Sequence, residues 1–277
     1  YQVPSADLPA GTYRNVTGTE ALAWGLVTGT HLAEIKMVFC SYPITPASGL
    51  LHSLARLKEH NVVTFQAEDE IAAVCAAIGA SYAGSLGVTS SSGPGIALKT
   101  EAIGLAIATE LPIVIVNSQR AGPSTGLPTK TEQSDLYQAV FGRNADSPLV
   151  VLAASSPSDC FDVAIEAVRL AIKYMSPVIV LSDGYIANAS EPWRIPAINQ
   201  LAHFPVPWLT DTTTCKPFAR DAETLARPWI KPGTPNMEHR IGGLEKDLDT
   251  GHISYDAENH QRMTNLRSDK IDGIAND

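Results

Sequence analysis

A chain of 277 residues that is 44% apolar can bury one large core or two modest ones, and a net charge of −9 gives no basic field for a nucleic acid. Lysine and arginine are scattered and no apolar run reaches membrane-spanning length, so neither a nucleic-acid nor a membrane partner is expected and a cytoplasmic location is. Cys40, Cys75, Cys160 and Cys215 stand far apart with no CxxC pair, which predicts buried free thiols and argues against an iron–sulfur cluster or Cys-type zinc site on this chain.

In chain order, residues 1–14 read as an N-terminal arm or linker. Thr19 to Leu32 has the pattern of an amphipathic helix, and 37–41 (MVFCS) that of a short buried strand. The strand breaks at Tyr42-Pro43-Ile44-Thr45-Pro46, where two prolines stiffen the loop. A helix from Ser48 to His60 and a strand from Val62 to Gln66 follow, then a helix from Glu70 to Tyr82. Next come a strand at 87–90, a serine/glycine turn at 90–95 and a nearly all-apolar helix from Ile96 to Thr109. PIVIVNS at 112–118 is a central strand by its β-branched run. A polar loop, Arg120 to Thr131, leads to a short helix at 132–141, a strand at 149–154, a helix ending at Tyr174 and a last central strand at 177–182.

This alternation predicts an α/β fold, mostly a parallel sheet with helices on both faces, over 15–190. Residues 191–277 hold three of the four tryptophans and little periodicity. Such a stretch reads as an irregular linker or a segment wrapping a partner, leading toward another domain.

The segment 65–98 is unusual. Glu68, Asp69 and Glu70 crowd one end of an Ala-rich helix whose body is apolar almost all round, which predicts a buried helix. Acids at a helix N-terminus are favourable, and capping accounts for two of the three. A carboxylate directed into a buried helix start is not explained that way. In an open α/β sheet, ligands gather beyond the carboxyl ends of the strands. Three loops leave such ends here: 41–48, 90–95 and 119–131. Thr45 offers a hydroxyl, Arg120 a guanidinium suited to bidentate capture of a carboxylate, and Lys130 a second positive charge ten residues on. Together they suit a small carboxylate-bearing ligand. A loop-holding ion pair for Arg120 and plain solvent exposure for Lys130 are the competing readings. Gly93-Pro94-Gly95 lacks the spacing of a dinucleotide or P-loop motif, no serine sits in a GxSxG elbow, and no HExxH is present.

Taken together, GTEALAWG (18–25), YPITPAS (42–48), QAEDEIAA (66–73), SGPG (92–95), QRAGPSTGLPT (119–129) and PVIVLSDGY (177–185) resemble the pyrimidine-binding region of the alpha subunit of 2-oxoacid:ferredoxin oxidoreductases, above all the 2-oxoglutarate type. The stretch from PGTPNMEHRIGG onward resembles what precedes the second domain of such subunits, and in the most similar subset a gamma domain is fused ahead of this region. The resemblance implies a thiamine-diphosphate-binding fold. It also implies a beta subunit carrying the diphosphate/Mg site and a [4Fe–4S] cluster, with ferredoxin as acceptor and coenzyme A as co-substrate. The assembly would be a dimer of alpha–beta pairs, a heterotetramer, and this chain alone would be inactive, because the GDGD…N diphosphate motif belongs to the partner.

In thiamine enzymes a glutamate opening a small-residue helix nine residues before a glycine hydrogen-bonds the aminopyrimidine N1′. Counting back from Gly79 selects Glu70 and returns Glu68 and Asp69 to capping. A buried glutamate beside a ring nitrogen can share a proton with it. By the same resemblance Pro43 and Ile44 flank the cofactor ring, and Thr45 and Arg120 hold the C1 carboxylate of the 2-oxoacid. The loop 122–131, with Lys130 as the distal-carboxylate contact, reads dicarboxylate specificity. Ala47 stands where serine is common, with little consequence expected. The expected reaction is oxidative decarboxylation of 2-oxoglutarate to succinyl-CoA. A pyruvate or branched-chain 2-oxoacid enzyme is the alternative within the family, and a non-catalytic scaffold subunit the alternative outside it.

Overall fold

Strands rich in Val and Ile on both faces need cover on both sides. In the computed structural model, which describes residues 2–211, 213 and 216–277, the chain supplies it. The elements run β1 (Tyr13–Thr17), α1 (Gly18–Leu32), β2 (Met37–Ser41), α2 (Ser48–Ala55), β3 (Val62–Gln66), α3 (Glu70–Tyr82), β4 (Leu86–Ser91) and α4 (Gly93–Thr109). They continue through β5 (Ile113–Gln119), α5 (Leu136–Phe141), β6 (Val150–Ala153), α6 (Asp159–Tyr174), β7 (Pro177–Asp183), α7 (Gly184–Asn188), β8 (Ser190–Arg194) and α8 (Ala257–Gly273).

Six strands pair in parallel in the order β3-β2-β4-β5-β7-β6. Side chains alternate across this sheet, so the single run IVIV in β5 feeds two cores. Val114 and Val116 pack with residues of α1, α2 and α6, whereas Ile113 and Ile115 pack with residues of α3 and α4. The expected α/β sandwich with a parallel sheet is thus present.

Local chemistry fixes the helix starts. Thr17 and Glu20 form a reciprocal capping box at α1, with Thr17 N–H donating to Glu20 Oε2 at 3.0 Å. Gly18 is obligatory for a different reason: a Cβ there would run into the backbone carbonyl of Ile186 at α7.

Several expectations need correction. Residues 13–14 are not part of an arm: β1 pairs antiparallel with β8 from Tyr13↔Arg194 to Thr17↔Ser190, so a boundary at 190 would cut a two-stranded sheet. The segment 191–277 is not all irregular, because it contains most of β8 and the 17-residue helix α8. Much of it packs on this chain's own sheet layer: Val206, Ala226 and Trp229 join the core under α1 and α6. Its cations also converge on one carboxylate, Glu110, at the C-terminus of α4. Arg220 donates to both Glu110 oxygens, and Lys246 and Lys270 lie at 3.2 and 3.0 Å. Burial alone would raise the Glu110 carboxyl, but Lys270, Arg220 and Lys246 hold it well below the usual carboxylate range. The sequence missed this anchor because a mostly polar stretch with weak periodicity hides apolar contacts and ion pairs made across long sequence separations.

Cys40 and Cys160 are buried free thiols, pushed up by burial to about 11 and about 12. Cys75 is free but exposed, against expectation, and Cys215 lies outside the described residues. Among the described residues no helix is long and apolar enough to cross a membrane.

Candidate functional site

The sheet order places β3 on one side of β2 and β4 on the other, so the order in which strands are added across the sheet reverses between β2 and β4. The loops leaving their carboxyl ends therefore diverge and open a crevice. At its floor, Ser41 and Ser90 are register partners with hydroxyls 3.2 Å apart. The loop after β2, the N-terminus of α3, the turn into α4 and the long loop after β5 all arrive at this end of the sheet.

The three clustered acids separate cleanly. Glu68 is exposed. Asp69 is the N-cap of α3, its Oδ1 accepting from Ala72 N–H at 2.7 Å. Glu70, the first residue of the helix, is 9% exposed. Its side chain lies against the first turn of α4: a Cβ on Gly95 would stand 2.8 Å from Glu70 Cγ and 3.1 Å from Oε1, and would collide with the Ser91 hydroxyl. The SGPG turn is thus small because Glu70 occupies the room a side chain would need. Contrary to expectation, α3 is not buried all round: Ile71 and Tyr82 are 48% and 46% exposed, and Cys75 lies on the same side.

Arg120, one residue past β5, is 7% exposed. Its Nη1 donates to the Thr45 carbonyl at 2.9 Å and its Nη2 to the Thr125 carbonyl at 3.0 Å, while Nε is buried without a partner. The guanidinium is therefore a clamp between two loops that retains unused N–H groups. Thr45 and Pro43 are exposed and Ile44 half-buried in the loop after β2. Lys130 is exposed, and its backbone closes the loop: its carbonyl accepts from Ala121 N–H at 3.0 Å and its N–H donates to the Leu127 carbonyl at 2.9 Å. The structure thus brings Thr45 and Arg120 together in direct contact, buries Glu70 at the start of the neighbouring helix, and leaves the Lys130 side chain in solvent.

Sequence reasoning missed the polar shelf around Arg120. Asn117 Nδ2 donates to Asp135 Oδ2 at 3.0 Å, Gln119 Oε1 accepts from Asp135 N–H at 2.9 Å, and Gln133 Nε2 donates to Asp183 Oδ2 at 2.7 Å. Each bond spans at least 16 residues, so local pattern carries no sign of it. A cavity of about 590 Å³ lies here, lined by Gly93, Pro94, Arg120, Glu132, Asp135 and Gln138 among others. Two further cavities, of about 290 and 690 Å³, sit against the C-terminal segment and include none of the expected site residues.

Buried polar atoms without partners are rare in a finished interior, so their grouping marks a place prepared for something else. Among the described residues seven are of this kind: Arg220 Nε and Trp229 Nε1 in the C-terminal segment, and Ser91 Oγ, Ser92 Oγ, Asn117 Oδ1, Arg120 Nε and Gln138 Oε1. The last five stand toward the carboxyl ends of β4 and β5, at the start of α4 and in α5. Together with buried Glu70, these five supply donors and acceptors of the kind that a polar-edged heterocycle such as the thiamine pyrimidine takes up. No cluster of three or more His, Cys, Asp or Glu suited to a metal ion exists among the described residues.

Residues 30–258 match the model of the family described as pyruvate flavodoxin/ferredoxin oxidoreductase, thiamine diP-bdg. The chain belongs to this family. It is 58% identical over 274 residues to the 2-oxoglutarate oxidoreductase subunit KorA of Mycobacterium tuberculosis, covering 99% of this chain and 42% of that protein. It is 36% identical over 281 residues to the 2-oxoacid:ferredoxin oxidoreductase 1 alpha subunit of Aeropyrum pernix, covering 96% of this chain and 42% of that one. Among solved structures, it superposes on the 2-oxoglutarate:ferredoxin oxidoreductase of Magnetococcus marinus, determined with 2-oxoglutarate, coenzyme A and succinyl-CoA bound. The TM-score is 0.88 at 37% identity, over 95% of this chain and 45% of that one. The chain therefore spans less than half the length of these relatives. The parallel sheet with its two helical layers is the thiamine-diphosphate pyrimidine-binding fold of the family.

Proposed function

We propose that this chain forms the pyrimidine and substrate side of a thiamine diphosphate enzyme that oxidatively decarboxylates 2-oxoglutarate. In that reaction 2-oxoglutarate and coenzyme A give succinyl-CoA and carbon dioxide, and two electrons leave singly for ferredoxin. The observation that carries the reading is Glu70, buried at a helix start, wedged against Gly95 and close to the partnerless Ser91 hydroxyl.

Bound thiamine diphosphate supplies the electron sink that decarboxylation of a 2-oxoacid requires. This chain's residues bind and orient. Glu70 holds a ring nitrogen of the pyrimidine through a shared proton. Pro43 and Ile44, in a loop stiffened by proline, border the ring. The Thr45 hydroxyl and the unused N–H groups of Arg120 hold the C1 carboxylate, fixing the carbonyl for attack. Lys130 reaches the distal carboxylate and selects a dicarboxylic substrate. A partner beta subunit provides the diphosphate/Mg site and the [4Fe–4S] cluster, in a dimer of alpha–beta pairs. Support for the substrate comes from the Mycobacterium tuberculosis and Magnetococcus marinus relatives, whose names specify 2-oxoglutarate.

The test is ferredoxin reduction by the complete complex across a panel of 2-oxoacids. The reading predicts the highest kcat/KM for 2-oxoglutarate and none without thiamine diphosphate. A preference for pyruvate overturns the substrate, and thiamine-independent activity overturns the reaction.

A further inference from the structure

Behind the Glu70 site stands a charge that the proposed chemistry does not use. Lys99 is fully buried at 0% exposure in the middle of α4. A buried ammonium needs an ion pair or several hydrogen bonds to offset its lost hydration. Among the described residues Lys99 has one hydrogen bond, from Nζ to the neutral Thr89 Oγ1 at 2.7 Å, and no carboxylate lies within 4.0 Å of it. Its placement is not arbitrary. Lys99 lies four residues after Gly95, so both share one face of α4, and Gly95 is where Glu70 makes its contact. Long helical side chains lean toward the helix N-terminus, which here is the end that meets Glu70. Thr89 and its register partner Cys40 lie beneath the same face.

We infer that Lys99 is a positioning residue, the buried counter-charge that keeps the Glu70 carboxylate in place and aimed for the cofactor pyrimidine. This rests on the proposed thiamine function.

The electrostatics agree. Burial drives Lys99 down to about 8, against the opposing pull of Glu70, Cys40, Cys75 and Asp69. Of these, Glu70 and Cys75 belong to α3, Asp69 is its N-cap and Cys40 lies on β2, while β4 contributes the neutral Thr89. A lysine lowered from 10.5 opposes folding while it is charged. The unfolded chain keeps that proton between about pH 8 and 10.5, so stability rises with pH across this window, and at neutral pH the folded protein carries the full penalty. A group retained at such a cost behaves as a functional charge and not as packing.

The experiment compares wild-type complex with K99M, which removes the charge, and K99Q, which removes the charge but keeps a donor. Thiamine diphosphate affinity by calorimetry, kcat/KM from pH 6.5 to 9.5, and the melting temperature of the complex without thiamine are all read. Both variants should bind thiamine diphosphate about tenfold more weakly at pH 7, the effect of one pKa unit's worth of lost interaction. The deficit should close above pH 9, where wild-type Lys99 is itself neutral, and K99M should melt at or above the wild-type temperature. Equal affinities and superposable pH profiles overturn the inference, as does a K99M complex that melts lower with affinity unchanged. A wild-type complex that binds no thiamine diphosphate overturns the proposed function, and the inference falls with it.

Discussion

The Arg120 guanidinium donates from Nη1 to the backbone carbonyl of Thr45 at 2.9 Å, joining two loops 75 residues apart in sequence. Its Nη2 holds the Thr125 carbonyl at 3.0 Å in the same way. The residue expected to capture a substrate carboxylate is thus already half-engaged, and this pre-orders the N–H groups that remain. Replacing Arg120 by Lys keeps the charge but loses the planar geometry. The expected outcome for R120K is a KM for 2-oxoglutarate raised about ten- to hundredfold, the worth of one or two charge-assisted hydrogen bonds. Faster proteolytic cleavage within residues 122–131 should accompany it. Steady-state kinetics and limited proteolysis of the same preparation check both.

Gly95→Ala places a methyl group where Ser91 Oγ and the Glu70 side chain now lie. Gly95 sits in the first turn of α4 with no left-handed backbone angle, so the helix backbone itself accepts alanine. Displacement of Glu70 should therefore appear as lost thiamine diphosphate affinity with little loss of fold. Calorimetric titration beside circular dichroism distinguishes that from general unfolding.

Glu110 neutralises cations brought by the C-terminal segment, and its removal leaves Lys246, Lys270 and Arg220 buried without a carboxylate partner among the described residues. E110A should cost about 3–5 kcal/mol at pH 7. Because the folded carboxyl is held well below its ordinary 4.5, the unfolded chain takes up the proton first. The stabilisation is thus complete above about pH 5 and declines as pH falls below that value. Urea unfolding at pH 7 and at pH 4 should show the gap between wild type and E110A narrowing in acid.

Lys130 is exposed, so any contact with a distal carboxylate is screened by water. K130A should raise the KM for 2-oxoglutarate by about fivefold or less, the upper range for an exposed pair. The KM for a monocarboxylic 2-oxoacid should stay unchanged. An equal effect on both substrates would remove Lys130 from the specificity reading.

What could be read from the sequence follows from range. The β-branched runs at 113–116 and 178–180 announce central strands because a parallel sheet buried on both faces admits little else. Glu70 stood out because a third acid at one helix start exceeds what capping needs, and the structure gives the cap to Asp69. Lys99 stayed invisible: a lysine within an Ala- and Ile-rich helix looks like an exposed face until β4 is seen to lie over it. The β1–β8 pair and the Glu110 anchor escaped for the same reason, since each joins segments more than 100 residues apart. The helix from Ser48 stopped early, at Ala55, before a separate 3₁₀ turn at Lys58–His60, and the one expected from 132 begins only at Leu136. In the second case Glu132 and Gln133 spend their side chains on Gly122 N–H and Asp183.

The central claim is that Glu70 meets the cofactor pyrimidine, and E70Q tests it most directly, because the change is nearly isosteric and alters only the proton chemistry of that side chain. Ferredoxin reduction from 2-oxoglutarate at saturating thiamine diphosphate should fall by about a hundredfold or more in the E70Q complex, the usual range for losing a positioned proton-transfer group, while assembly and melting temperature hold. An E70Q complex that matches wild-type kcat contradicts the account.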